Sequence, residues 1–385
     1  MGESVSALVD GHHLHVETCA DARLAMIIDT IDAAQATLQL MFYIFAGDAV
    51  GQSVIAALIR ACGRGVDVCL IVDGFGSQDQ PDSVFASLVA AGGRFARFNP
   101  KYGRRYLLRN HQKMLIADNQ TALIGGNNIS DDYHQPESDP NGWHDLMLRI
   151  DGPAVARLEG YYRALTEWVE MPALRVHQLR TILTDYSEAV GALRWLHGGF
   201  FSRLSPLTRA IRNDIDRSRT LVMVEAFFAP NWAMLRKLGQ VVQRGGTCNI
   251  ITAGHSATTT TVAASRHCYH RLLSSGVELY EYGPKKLHMK LIIADDAVYI
   301  GSANFDARSL YINVELMLRI EDSGFAAQMR QFAQLQQEKC VLITATKYAA
   351  RATWLNRLRW FVAYFIVSTL DYSVSRRLNI IGEDQ

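Results

Sequence analysis

One pattern occurs twice in this chain, and the second copy constrains the whole fold. His111-Gln112-Lys113-Met114-Leu115-Ile116-Ala117-Asp118 is followed by Gly125-Gly126-Asn127-Asn128. His288-Met289-Lys290-Leu291-Ile292-Ile293-Ala294-Asp295 is followed by Gly301-Ser302-Ala303-Asn304. Both read His-x-Lys-x-x-x-x-Asp, then Gly-Gly/Ser-x-Asn. One match to so short a pattern means little. Two matches, each with the same downstream Gly and Asn, imply an internal duplication.

Strand periodicity gives the pattern a shape. The apolar run after each Lys predicts a buried strand. Positions i and i+2 share a face, so His111 sits with Lys113 and His288 with Lys290. The Asp follows at odd spacing, on the other face, about 23 Å from the His at roughly 3.3 Å per residue. Asp118 and Asp295 are therefore expected in turns, within Asp118-Asn119-Gln120 and Asp295-Asp296. The chain then doubles back. Pairing Ala117 with Thr121 returns Asn128 beside His111. Pairing Ala294 with Val298 returns Asn304 opposite His288. Each hairpin thus gathers an imidazole, an ammonium and a carboxamide at one strand end.

The surrounding elements repeat as well. A helix over 21–36 and a strand over 37–45 echo a helix from Leu207 and a strand over 220–228. Helices over 48–64 and 232–244 end at Gly65 and Gly245-Gly246. Buried strands follow over 66–73 and 248–253, then helices over 83–91 and 265–275, then short strands over 94–98 and 277–282. After each hairpin comes nearly the same strand, Asp145-Leu-Met-Leu-Arg-Ile150 and Glu315-Leu-Met-Leu-Arg-Ile320. Helices over 155–170 and 325–339 close each unit. Alternating strands and helices imply α/β layers. The expected division is an N-terminal lobe over 1–185, a C-terminal lobe over 186–340 and a distinct segment over 341–385.

Composition narrows the function. With 385 residues the chain has room for two lobes. A net charge of +1 argues against bulk nucleic-acid binding. Six cysteines without CxxC spacing read as free thiols in a reducing compartment. No secretory signal is expected over 1–25, and no run reaches the ~18 apolar residues of a spanning helix. His12, His13, His15, Glu17 and Cys19 cluster near the start, but they match no paired ligand spacing and are expected in a half-exposed strand. The last segment crowds Trp354, Leu355, Leu358, Trp360, Phe361 and Tyr364 with Arg351, Arg357, Arg359, Arg376 and Arg377. It suits either a helix in a lipid interface or a cap on the core.

Two half-sites facing each other would place His111 and His288 on opposite sides of one ligand, with Lys113 and Lys290 between. Such convergence suits a phosphodiester, whose oxygens Lys and Asn128 or Asn304 would bind. One imidazole attacks phosphorus; the other protonates the leaving alcohol and deprotonates the incoming one. The lysines supply the positive charge, so neither metal nor cofactor is called for. Each imidazole needs an acceptor on its other nitrogen, and Asp145 and Glu315 hold matching places for that role. Lys101, Arg104, Arg105 and Arg109 precede the first hairpin and are candidate guides for an anionic substrate.

At these residues the chain resembles the phospholipase D superfamily, over about 22–339, and within it the bacterial cardiolipin synthases. Asp48-Ala-Val-Gly51, Asp73-Gly-Phe-Gly-Ser77, Trp143-His-Asp145 and Gly301-Ser-Ala-Asn-Phe-Asp-Ala-Arg-Ser309 with Asn313-Val-Glu315 are similar to that branch. The resemblance implies a two-lobed α/β sandwich with one active site between the lobes. It also implies phosphatidyl transfer between phospholipids through a phosphohistidine, with His111 as nucleophile, at the cytoplasmic face of a bacterial inner membrane. Hydrolysis by a phospholipase D and, further off, a nuclease are the alternatives. Two departures stand out: the branch's N-terminal spanning helices are not seen, and Gly126 stands where the second copy has Ser302.

Overall fold

A computed structural model describes residues 4–98, 108–136, 138–171, 175–201, 203–256 and 258–370. Two eight-stranded sheets carry the architecture. In the first, the strand order is Val5–Val9, His12–Glu17, Met147–Asp151, Thr121–Gly125, Met114–Ala117, Thr37–Phe42, Asp67–Asp73, Arg94–Phe98. In the second it is Leu193–Gly198, Glu315–Glu321, Ala297–Gly301, Lys290–Ala294, Thr220–Glu225, Thr247–Ala253, Glu278–Tyr282, Cys340–Leu342. Apart from Val5–Val9 at one edge and Cys340–Leu342 at the other, the two orders correspond strand for strand.

The alternation of each strand fixes the layers. Met114 and Ile116 face a central cluster, and Leu115 and Ala117 an outer one. Leu291 and Ile293 likewise face the centre, and Ile292 and Ala294 the outer cluster of the second sheet. The helices Val155–Val169 and Ser323–Glu338 supply Leu158, Tyr162, Leu165, Phe325, Met329 and Phe332 to the central cluster, between the sheets. The helices Ala20–Ala33 and Ala49–Gly63 cover the first sheet from outside; Pro206–Arg217, Trp232–Gln243 and Thr259–Ser274 cover the second. Local signals start them: Asp48 accepts from Gly51 N, and Asn231 from Met234 N.

Several elements depart from the sequence reading. The helix expected over 265–275 begins at Thr259, because Thr258 to Thr261 offer no apolar periodicity to mark its start. The helix Val176–Asp185 and the strand Leu193–Gly198 were not anticipated. The second hairpin pairs Ala294 with Ala297 rather than Val298, giving a turn one residue tighter than the first, where Ala117 does pair with Thr121. The early histidines lie on the hairpin of the first two strands and are engaged locally. His15 Nδ1 lies 2.8 Å from Ser6 Oγ, and His12 Nε2 accepts from Ala154 N at 3.0 Å.

As far as residue 370 the segment after Cys340 is not separate from the core; Arg376 and Arg377 lie outside the described residues. Cys340–Leu342 pairs with Glu278–Tyr282, and Tyr348, Trp360, Ala363 and Tyr364 are buried in the outer cluster of the second sheet.

Candidate active site

Asp118 and Asp295 mark the turn ends of the two hairpins. Both backbones are left-handed, with φ of 51° and 49°. The Asp118 carboxylate accepts from the backbone N–H of Gln35, Ala36 and Thr37; that of Asp295 accepts from Arg219 and Thr220. Each ties its turn to the loop entering the neighbouring strand. Both sit in the turns where strand parity predicted them.

The imidazoles lie at the opposite ends, and there the halves exchange partners. His111 N–H donates to Val314 O at 2.8 Å, and Val314 N–H donates to Arg109 O. His288 N–H donates to His144 O at 2.7 Å, beside a short parallel pairing of Lys286–Leu287 with Trp143–His144. Each histidine is thus stitched to the other half one residue before that half's carboxylate. His111 Nδ1 then meets the Glu315 carboxylate at 3.1 Å, and His288 Nδ1 meets Asp145 Oδ2 at 2.6 Å. Both carboxylates are 0 % exposed.

The hydrogen-bond directions follow from the acceptors. An ionised carboxylate only accepts, so each Nδ1 carries a proton and each Nε2 keeps its lone pair toward the site. Lys113 Nζ donates to His111 O, and Lys290 Nζ to His288 O. Burial lowers His111 to about 4 and His288 to about 3, reinforced by Lys113 and Lys290 respectively and only partly opposed by the carboxylates. By itself the chain holds both imidazoles neutral at pH 7. Burial, opposed by Glu315, takes Lys113 down to about 7, and Lys290 shifts the same way. Burial raises Asp145 and Glu315, but their histidines and lysines outweigh it, so both stay ionised.

The glycines of the motif have steric causes. A Cβ on Gly125 would lie 2.5 Å from Leu146 O, and one on Gly301 2.1 Å from Leu316 O. A Cβ on Gly126 would lie 2.5 Å from Asp145 Oδ2. At the matching place Ser302 donates to Glu315 Oε2 at 2.5 Å. The departure between the copies is therefore coupled to the two carboxylates: one needs bare space, the other takes a hydroxyl.

Asn128 and Asn304 are both buried at this end. Asn128 Oδ1 accepts from Ile44 N, whereas Asn304 Oδ1 has no partner among the described residues. Arg109 lies 3.6 Å over the Phe75 ring. Lys101, Arg104 and Arg105 lie outside the described residues.

Apart from Trp143, part of the Trp143-His-Asp145 run, several neighbours escaped the sequence reading. Tyr43 meets His111 edge-on at 4.8 Å, and Tyr133, Trp143 and Phe227 surround His288 at 5.0, 5.0 and 6.0 Å. Arg23, 0 % exposed, donates to the backbone carbonyls of Asp145 and Tyr133 at 2.8 Å. Glu225 pairs in register with Lys290 and is fully buried, and burial holds its carboxyl well above the ordinary range. Its counterpart in the first half is Phe42. An arginine on an otherwise apolar helix stripe and a carboxyl inside an apolar strand were the available signals for two of these.

The model of the cardiolipin synthase, PLD-like domain family matches residues 27–162 and 211–336. The chain belongs to that family. The matched halves each contain one hairpin with its His and Lys. Among relatives of this PLD-like chain is a protein named cardiolipin synthase B from Salmonella typhi, 28% identical over 376 residues, covering 92% of this chain and 87% of that protein. Another is a cardiolipin synthase from Clostridium perfringens, 26% identical over 345 residues, covering 86% and 72%. The crystal structure of phosphatidylserine synthase from Haemophilus influenzae Rd KW20 shares the fold, with a TM-score of 0.69 at 16% identity, covering 94% of this chain and 95% of that one. The fold is the duplicated PLD-like α/β sandwich that the sequence implied.

Proposed function

We propose that this chain is a phosphatidyltransferase that forms cardiolipin from phosphatidylglycerol and a second phospholipid. The observation that carries the reading is the crossed pairing of His111 with Glu315 and His288 with Asp145. It orients two imidazoles by carboxylates from opposite halves and leaves two Nε2 atoms for one phosphorus. Family membership and the names of the relatives supply the substrate class.

His111 is the attacking base. Its Nε2 bonds to the donor phosphorus, and the bond to the leaving glycerol oxygen breaks. His288 gives that oxygen the proton on its Nε2. The phosphodiester's negative charge opposes the repulsion from Lys290 and lets His288 take this second proton when substrate arrives. The acceptor hydroxyl then returns a proton to His288, attacks phosphorus, and releases His111. Lys113, Lys290, Asn128 and Asn304 hold the phosphoryl oxygens and the charge that develops on them.

Both substrates carry acyl chains that cost about 0.8 kcal/mol per methylene to expose to water. Among the described residues no helix is long and apolar enough to cross a membrane. In this reading the chain works peripherally at the cytoplasmic face of a bacterial inner membrane, as the family resemblance implies. The test is lipid mass spectrometry after incubation with phosphatidylglycerol, alone and with phosphatidylethanolamine. Cardiolipin is expected. Phosphatidic acid as the sole product would replace transfer with hydrolysis.

A further inference from the structure

The helix Trp354–Tyr364 shows two unlike faces. Trp360, Ala363 and Tyr364 are buried, packed toward the helix Thr259–Ser274. Trp354, Leu355, Leu358, Phe361, Val362 and Phe365 are exposed, from 72 % at Trp354 to 42 % at Phe365. Positions 354, 358, 361 and 365 follow helical spacing, so these residues form one apolar stripe facing outward. A stripe of this kind on a surface marks a contact site rather than scatter.

A cavity of about 620 Å³ opens beside the stripe. Trp232, His267, His270, Arg271, Arg357 and Phe361 line it, and no acidic residue does among the described residues. The Arg271 guanidinium lies 5.3 Å over the Trp232 ring. Arg357 Nε donates to Ala352 O. Neither arginine has a carboxylate partner among the described residues. His267 Nε2 is buried without a hydrogen-bond partner among the described residues. Its ring lies among Trp232, Phe361 and Tyr364, at 5.8, 5.7 and 4.8 Å. Phe361 belongs to both features, so the apolar stripe starts at the rim of the basic cavity.

We propose that this cavity, under the Trp354–Tyr364 helix, is a second and non-catalytic site that holds the phosphodiester headgroup of an anionic phospholipid in the bilayer, with its acyl chains along the stripe. The choice of a lipid rests on the phospholipid reading above; the cavity and the stripe do not. Two guanidiniums sharing a cavity without a counter-charge repel, and a phosphate accepts from both planar forks. A free phosphate would leave the stripe in water. A purely apolar partner would leave the arginines unpaired. A molecule anionic at one end and apolar at the other satisfies both.

The position also fits. Phe227 lies edge-on to His288, and the same short segment runs on to Pro230, whose carbonyl accepts from Tyr364 Oη at 2.8 Å, and to Trp232 in the cavity. A lipid bound here would set the height of the histidines above the bilayer.

Flotation of the full chain with phosphatidylcholine vesicles, with and without phosphatidylglycerol, tests the site. Arg271→Gln with Arg357→Gln should bind phosphatidylglycerol vesicles about tenfold more weakly or worse, while binding to pure phosphatidylcholine stays unchanged. Ser274→Trp, which fills the cavity and leaves both arginines, should lose the same preference. Arg94→Gln with Arg163→Gln removes equal charge from the other lobe and should have little effect. His288→Ala should bind vesicles like the wild type, so loss of turnover and loss of binding are read apart. If no transfer activity exists at all, the vesicle result still stands alone. Undiminished binding by both cavity variants, or an equal loss in the distant control, would overturn the proposal. So would binding of inorganic phosphate at the cavity with no preference for phosphatidylglycerol vesicles over pure phosphatidylcholine, since the site would then take phosphate and not lipid.

Discussion

Asp145 Oδ2 and His288 Nδ1 stand 2.6 Å apart although they come from different halves of the chain. The bond makes the two halves chemically dependent on each other. A carboxylate this deeply buried persists as an anion only where cations and donors offset its lost hydration, and His288, Lys290 and Arg23 do so. Asp145→Asn should hold the fold and slow turnover roughly a hundredfold or more, by releasing the imidazole from its tautomer. Asp118→Asn should instead keep its rate per folded molecule and lose about 1–2 kcal/mol of stability, through weaker caps on three backbone N–H groups. Kinetics beside denaturant unfolding separates the two. A dead but stable Asp118→Asn with a normal Asp145→Asn would reverse the assignment.

The roles of the histidines separate by leaving group. A phosphodiester with an activated phenol needs no proton on departure. With it, His288→Ala should accumulate a phosphoryl adduct on His111, because attack proceeds and deprotonation of the acceptor stalls. His111→Ala should form none. Mapping the adduct by peptide mass spectrometry decides the matter, and an adduct on His288 in the wild type would exchange the roles.

Gly126 and Ser302 should respond differently to alanine. Gly126→Ala forces a methyl against Asp145 and is expected to cost about 1–3 kcal/mol and much of the activity. Ser302→Ala fits without a clash and removes one donor to Glu315, for about 1 kcal/mol and a smaller loss of rate. Equal effects in unfolding and rate measurements would mean that the close approach is relieved by movement.

Lys113 gives a pH limb. Its ammonium is the binding form, and burial lowers it to about 7 in the free protein. Protonated Lys113 predominates below that pH and is lost above it, so kcat/KM should fall as pH rises through about 7. Lys113→Arg keeps its charge at any accessible pH, so its limb should move upward even if its rate is lower. An unmoved limb would assign the titration to another group.

Much of this was legible from the sequence because duplication and strand parity are local properties. The turn roles of Asp118 and Asp295 followed from odd spacing alone. The repeat placed Asp145 and Glu315 as equivalents, but no local rule told which histidine each would reach. That depends on how two sheets face each other, a long-range relationship absent from any one window. Tyr133, Arg23 and Glu225 stayed hidden for the same reason. The segment after Cys340 posed a choice between cap and membrane anchor, yet a helix has two faces. Trp360 and Tyr364 are buried while Leu358 and Phe361 stand in solvent, so truncating it would strip the core along with the stripe.

The exchanged contacts have a further consequence. His111 reaches Glu315 and His288 reaches Asp145; Asn110 bridges to Val314, and Leu287 pairs with His144. Patch i meeting j while j meets i is the signature of an isologous two-fold interface. The chain is thus a tethered pseudo-dimer, and each half alone carries an imidazole with no carboxylate placed to orient it. The linker sets the effective concentration of one half for the other, and the strands that cross supply the register in which they meet.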